Sequence, residues 1–159
     1  MSINWVMKND GSNGSRSPFI LLPSEIIKYE SPLERTSLEI KPKYNSTILK
    51  EPIKAKGKIY ISNLRIVFLS SEGDINTFSL LINQIKFFKL DTPFLGFGPN
   101  KWMCLFNSND SNSGFIKDEV YELIFTFNEG GSFEFVKCFD DVYTSFINNQ
   151  QEQLPAYHE

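Results

Sequence analysis

The sequence predicts a mainly β fold of the α+β class, an antiparallel β-sandwich or open barrel closed by one C-terminal amphipathic helix. Three observations predict it. About seven to nine short segments with strand-like patterns follow one another along the chain. No helical segment alternates with them, which argues against a parallel sheet. The last apolar stretch then changes from a period of two residues to one of 3.6.

The clearest predicted element is a hairpin over Gly57–Ser70, with its turn at Ser62 and Asn63. In its first strand Ile59 and Ile61 share one face, and the intervening residues are mostly polar. In its second strand the run Ile66–Leu69 is apolar on both faces. We therefore expect a half-exposed strand beside a fully buried one.

Further strands are predicted on both sides of this hairpin. In the last of them, Tyr121, Leu123, Phe125 and Phe127 share one face. Gly130 and Gly131 are expected to turn the chain into a second hairpin, whose returning strand carries Phe133 and Phe135. The candidates are Glu25–Tyr29, Ser37–Lys41, Asn76–Ile82, Ile85–Leu90, Trp102–Phe106 and Val120–Phe127.

An amphipathic helix is predicted after Val136. Its apolar residues recur at helical spacing and are expected to pack on the sheet. They are Phe139, Val142, Tyr143, Phe146 and Ile147. The predicted organisation is a flexible N-terminal segment at 1–22, one domain at 23–148 and a flexible tail at 149–159.

The composition excludes several classes of protein. The net charge of −3 gives no global attraction to nucleic acid or membrane. The two cysteines, Cys104 and Cys138, and the single histidine, His158, are too few and too scattered for a zinc site, so buried or partly buried free thiols are expected. No Ser-His-Asp or Cys-His constellation is available, so we expect no enzymatic activity, no metal and no cofactor.

The N-terminus predicts a location inside the cell. It has no long apolar region and no cleavage pattern of a signal peptide, and Ser2 excludes myristoylation. The apolar runs are much shorter than the ~18 residues of a membrane span. A cytoplasmic and nuclear protein, neither secreted nor membrane-spanning, is expected.

Four pieces of the sequence, in order, resemble the GRAM domain of the WW-domain-binding-protein family, a group with a fold like that of pleckstrin-homology (PH) domains. They are Gly57–Ser70, Thr77–Leu81, Pro93–Gly96 and the stretch from Tyr121 to Phe135. The resemblance spans roughly Pro23 to Ile147. It implies a PH-like fold and a non-enzymatic adaptor that binds WW domains, including those of ubiquitin ligases of the HECT type. For animal members it also implies transcriptional coactivation, with chromatin or transcription factors as partners.

The family's WW ligand is a Pro-Pro-x-Tyr motif in a long proline-rich tail, and this chain departs from that pattern. It carries a single Leu-Pro-x-Tyr motif, formed by Leu154, Pro155 and Tyr157. A WW groove holds an extended ligand whose proline packs between aromatic rings. Pro155 lowers the cost of ordering by fixing φ, whereas Leu154 pre-organises less than proline. We predict a WW ligand of reduced affinity; an inert tail is the alternative.

A second function is suggested by a local concentration of basic residues. Glu51 is the only acidic residue between Lys41 and Lys58. The candidate residues for binding an anionic lipid are Lys54, Lys56, Lys58 and Arg65. Phosphoinositide or membrane-surface binding is therefore the alternative to the adaptor, and a solvated strand face with protective edge lysines is the simpler explanation.

Overall fold

The described part of the protein has one antiparallel sheet of eight strands, one C-terminal α-helix and two single-turn 3₁₀ helices, Ile82–Gln84 and Phe94–Gly96. The computed structural model describes residues 6–9, 17–32, 35–44, 51–107, 115 and 119–152. The sheet is open, and the predicted fold class is confirmed. Its elements are β1 (Ile27–Glu30), β2 (Thr36–Pro42), β3 (Ile53–Ser62), β4 (Arg65–Gly73), β5 (Thr77–Leu81), β6 (Ile85–Asp91), β7 (Lys101–Asn107), β8 (Val120–Thr126) and α1 (Ser132–Glu152).

The long strand β3 is the centre of the sheet. The strand order is β5-β4-β3-β2-β8-β7-β6, and β1 pairs with β3 beside this path. The first half of β3 pairs with β2, as at Ile40 and Ile53, and its second half pairs with β1, as at Glu30 and Tyr60. Gly57 lies between the two halves, where a Cβ atom would stand 2.1 Å from the Leu69 carbonyl oxygen. Only glycine permits this close approach of β3 and β4.

The main core lies between the concave face of the sheet and α1. Trp102 is fully buried at its centre, with ring centroids 4.9 Å from Phe139 and 5.1 Å from Phe135. Phe88 contributes from β6 and contacts Phe139 at 4.8 Å. Aromatic pairs at these distances contribute about 0.5–1.5 kcal/mol beyond the area they bury. The helix therefore closes one open end of the sheet, as the sequence predicts.

A smaller apolar cluster covers the opposite face of β3 and β4. It consists of Val6, Phe19, Tyr60 and Val67, with Ile27 and Leu69 packed against it. Lys8 and Phe19 form an isolated β-bridge, so residues 6–9 and 17–22 run beside each other. The described parts of the segment predicted to be flexible therefore pack on the domain. We call these two stretches the N-terminal strap.

The prediction of a second hairpin at Gly130 and Gly131 is wrong, because α1 begins at Ser132. The Phe135 amide donates to the Gly131 carbonyl at 3.1 Å, which is the first turn of the helix. Phe135 is fully buried and Phe133 is 67% exposed. Two phenylalanines separated by one residue fit a strand, but Phe135 also starts the helical spacing that continues at Phe139 and Val142. The helical reading buries the longer series of apolar residues.

Candidate functional site

Three of the predicted basic residues lie on one outward face of β3. Lys54 and Lys56 are exposed and Lys58 is half-buried, while the residues between them face the core. Successive side chains on one face of a strand stand about 7 Å apart. The alternation therefore presents three cations in a row, and we call this row the lysine face.

A shallow recess of about 940 Å³ extends from the lysine face to the neighbouring strands. Arg35, immediately before β2, contributes a third cation to it beside Lys56 and Lys58. Its other lining residues are Pro32, Ser37, Ser71, Glu72 and Asn128. The sequence analysis did not identify Arg35, because its proximity to the lysines depends on the pairing of β2 with β3.

Every cation of the recess has an acidic neighbour. Such exposed pairs contribute about 0–1 kcal/mol, so an incoming anion can exchange partners with them at small cost. They also reduce the net positive charge that the recess offers to an anion. The pairs are Arg35 with Glu129 at 3.0 Å, Lys56 with Glu72 at 3.8 Å and Lys58 with Glu30 at 2.9 Å.

The fourth predicted lipid-binding residue, Arg65, lies inside the protein. Its Nε and Nη2 donate to the two carboxylate oxygens of Glu25 at 2.8 and 2.9 Å. A further bond reaches the Ile20 carbonyl at 3.1 Å, and the guanidinium stands 5.3 Å from the ring centroid of Phe19. The two charged side chains are only 6% and 0% exposed. Arg65 therefore holds the N-terminal strap, and its charge is already neutralised.

The hydrogen bonds around Glu25 decide its charge state. Burial alone would raise its pKa, but bonds from Arg65, from the Ser62 hydroxyl and from the Leu22 amide outweigh burial and lower the pKa below the usual value. The carboxylate is therefore ionised at neutral pH, and the pair is a buried salt bridge with bidentate geometry.

The predicted WW ligand, Leu154, Pro155 and Tyr157, lies outside the described residues. What the structure adds is the position of the preceding helix. Phe146 and Ile147 are the last half-buried residues of α1, and residues 148–150 are exposed. Residues 148–150 therefore lie past the packed part of α1, and the helix ends at Glu152.

Both cysteines of the chain are free thiols, as predicted. Burial strongly raises the pKa of Cys104; burial and the neighbouring Asp141 raise that of Cys138. A higher pKa keeps a thiol protonated and weakly reactive. Cys138 borders an apolar groove of about 750 Å³ between α1 and β1. Among the described residues, no cluster of three metal-binding side chains occurs and no helix is long and apolar enough to cross a membrane.

Comparison with known proteins defines the class. The GRAM domain family profile matches residues 16–129, well over half of the chain, so the protein belongs to the GRAM domain family. The match ends just before α1. Membership of the WW-domain-binding group within that family stays a prediction.

A relative is known from fission yeast. The chain is 29% identical over 167 aligned residues to a UPF0664 stress-induced protein of Schizosaccharomyces pombe, covering 99% of this chain and 89% of that protein. Among solved structures, a chain of "The 8S snRNP Assembly Intermediate" superposes with a TM-score of 0.46 at 13% identity, over 84% of this chain and 88% of that one.

Proposed function

We propose that the protein is a non-enzymatic adaptor whose GRAM domain presents a C-terminal Leu-Pro-x-Tyr ligand to WW-domain proteins. The observation that carries the proposal is the course of α1. The helix is anchored at Phe135 and Phe139 and extends beyond its packed residues to Glu152, two positions before Leu154. In the sequence the motif begins two residues after the helix ends, and on this basis we propose that it is accessible to a partner domain.

WW-domain ubiquitin ligases of the HECT type are the proposed partners. In this proposal the chain is either a substrate of the ligase or a recruiter of it, in the cytoplasm and the nucleus. A coregulator role in transcription extends the proposal. The support is the resemblance of the four sequence pieces together with membership of the GRAM family. The motif also fits the chemistry of a WW groove, because proline and tyrosine are the two side chains that such a groove receives.

The decisive experiment is a binding assay of the full chain on an array of WW domains. Tyr157→Ala should abolish binding because it empties one of the two pockets. Leu154→Pro should strengthen binding because it fixes a second φ angle before the complex forms. Tyr44→Ala is the matched control, since Tyr44 is 68% exposed and belongs to the loop after β2. Equal retention of the parent and Tyr157→Ala would overturn the proposal.

The lysine face favours a second candidate function, binding to an anionic membrane surface. GRAM domains are often associated with membranes, and Lys54, Lys56 and Lys58 project from the same side of β3. Each cation near an anionic surface contributes about 1 kcal/mol. Three of them supply about 3 kcal/mol, which the acidic neighbours reduce. Arg65 is left out because its charge is buried.

Vesicle co-sedimentation separates this candidate from the adaptor. The probe is phosphatidylcholine vesicles with and without phosphatidylserine or a phosphoinositide. Changing Lys54, Lys56 and Lys58 to glutamate should remove binding. Changing the exposed Lys86, Lys89 and Lys101 to glutamate is the control, because it alters the net charge equally on β6 and β7. Equal effects of the two triple changes would contradict a specific lysine face.

A further inference from the structure

We propose that Ser71 is a phosphorylation site whose phosphate is held by Arg35, Lys56 and Lys58. The inference goes beyond the adaptor function and does not depend on it. It rests on three features that meet at one place. These are an irregularity of β4 that centres on Ser71, an acidic sequence that follows it, and the cations of the recess that Ser71 lines.

The pairing of β3 with β4 slips by one residue at Ser71. The register runs from Gly57 opposite Ser70 to Lys56 opposite Glu72, so Ser71 is the extra residue of a β-bulge. Bulges re-aim side chains and interrupt the ladder, and they are enriched beside functional sites. Ser71 is exposed at this point, near the end of β4. An exposed bulge close to a strand end opens more easily than a regular ladder, as a kinase requires of its substrate.

The bulge also distinguishes Ser71 from Ser70. Both hydroxyls donate to the Lys56 carbonyl, at 3.2 and 3.3 Å. Ser70 is half-buried, and its single hydroxyl proton is shared with the Glu72 carbonyl, the nearer of its two acceptors at 2.8 Å. The Ser71 side chain is the more accessible of the two, and it lines the recess.

The sequence after Ser71 is acidic. Glu72 follows directly and Asp74 lies three positions beyond Ser71, and neither is buried. A serine kinase with a basic substrate groove is the electrostatic complement of such a segment. In the reaction, the Ser71 Oγ bonds to the γ-phosphorus of ATP as the bond to the bridging oxygen breaks. ADP leaves and the hydroxyl proton passes to the base of the kinase.

The cations explain what the phosphate would do. A phosphoserine carries about −1.5 to −2 charges at pH 7 and three strong acceptor oxygens. The Glu72 side chain is 70% exposed, and its carboxylate comes no closer than 3.8 Å to the Lys56 ammonium. The phosphate can therefore replace it. Arg35 is 75% exposed at its side chain, so its 3.0 Å pair with Glu129 can be exchanged for the phosphate at small cost. The phosphate would link the start of β2, the middle of β3 and the end of β4, and it would cancel the positive charge of the recess.

The first test is phosphorylation of the folded full chain by an acid-directed serine kinase with ATP, followed by mass spectrometry. We expect one phosphate at Ser71, its loss in Ser71→Ala and its retention in Ser70→Ala. Absence of phosphate at Ser71 in the folded chain would overturn the assignment.

The second test measures the cation contacts without the kinase. Phosphoserine is installed at position 71 by genetic encoding, and its second ionisation is followed by ³¹P NMR. We expect the phosphate to ionise at a pH about half a unit lower than in a peptide of the same local sequence, a roughly threefold weaker proton affinity. Lys56→Gln and Arg35→Gln should each reverse part of this shift, and Lys86→Gln should not. An ionisation identical to that of the peptide, or unaffected by Lys56→Gln, would refute the contacts.

Discussion

The buried pair of Glu25 and Arg65 gives the sharpest test of the structure. Glu25→Ala removes the carboxylate that receives both guanidinium bonds and leaves the Arg65 charge in the interior. Breaking a buried pair in this way costs about 3–5 kcal/mol. That is a large share of the roughly 5–15 kcal/mol by which a domain is stable. Urea unfolding followed by tryptophan fluorescence measures the loss directly.

A surface pair of the same chain is the matched control. Glu30→Ala removes the partner of Lys58, whose ammonium lies 2.9 Å from that carboxylate at the surface. We expect a loss of about 0–1 kcal/mol there. Replacing Glu25 and Arg65 together by leucine should cost less than Glu25→Ala alone, because no buried charge is left unpaired. If Glu25→Ala changed the free energy of unfolding no more than Glu30→Ala, the buried salt bridge between Glu25 and Arg65 would be refuted.

The same pair predicts an acid-dependent loss of stability. The pKa of Glu25 is lowered in the folded state, so its contribution is fully present above the pKa of the unfolded chain. It is lost as the pH falls through the folded pKa, because protonation must then break the pair. Glu25→Gln should therefore show a smaller fall in unfolding midpoint between pH 5 and acid conditions than the parent, measured by circular dichroism. An equal fall in both proteins would exclude Glu25 as a source of the acid sensitivity.

Three further perturbations follow from the fold, each read out by urea unfolding. Ordinary overpacking costs about 1–3 kcal/mol of unfolding free energy, and Gly57→Ala should cost more, because its Cβ would meet backbone atoms of Leu69 that cannot move aside. A neutral effect would contradict the close approach of β3 and β4. Phe135→Ala should cost about 3–5 kcal/mol and Phe133→Ala below about 1, since only the former is buried; similar costs at both positions would favour the hairpin prediction, in which they share one face. Removal of residues 1–22 should lower the free energy of unfolding by about 3–5 kcal/mol, because it uncovers Tyr60 and deletes Phe19. An unchanged free energy of unfolding would mean that the strap does not pack on the sheet.

The sequence predicts most of the sheet because strand patterns are local. The turn of the central hairpin was placed at Ser62 and Asn63, and the structure has β3 ending at Ser62 and β4 beginning at Arg65. The sequence predicts that the run Ile66–Leu69 is buried on both faces. In the structure the N-terminal strap covers the outer face of this run. Phe135 fits both a strand face with Phe133 and a helical series with Phe139 and Val142, so the start of α1 cannot be decided from that residue.

The features that the sequence did not reveal all depend on contacts between distant segments. Arg65 appears in the sequence as one more basic residue beside the lysines, and only the approach of Glu25, 40 positions earlier, makes it a buried structural charge. The packing of the strap also depends on such contacts, because a polar, glycine-rich stretch separates Val6 from Phe19 in the sequence and only the fold brings both onto β3 and β4. Arg35 belongs to the recess only through strand pairing. The WW ligand remains a prediction from its motif.

The arrangement of β3 keeps the proposed lysine face apart from the N-terminal strap. Along its outward face Lys54, Lys56 and Lys58 come first, and Tyr60, which the strap covers, follows them. Ser71 lies opposite the first half of β3, so a phosphate there changes the charge of the lysine face and leaves the strap untouched. The packed part of α1 lies on the core face of the sheet, opposite the face that carries the lysines. Phosphorylation at Ser71 is therefore expected to weaken vesicle binding and to leave WW binding unchanged, which makes the two proposed functions separable in a single protein preparation.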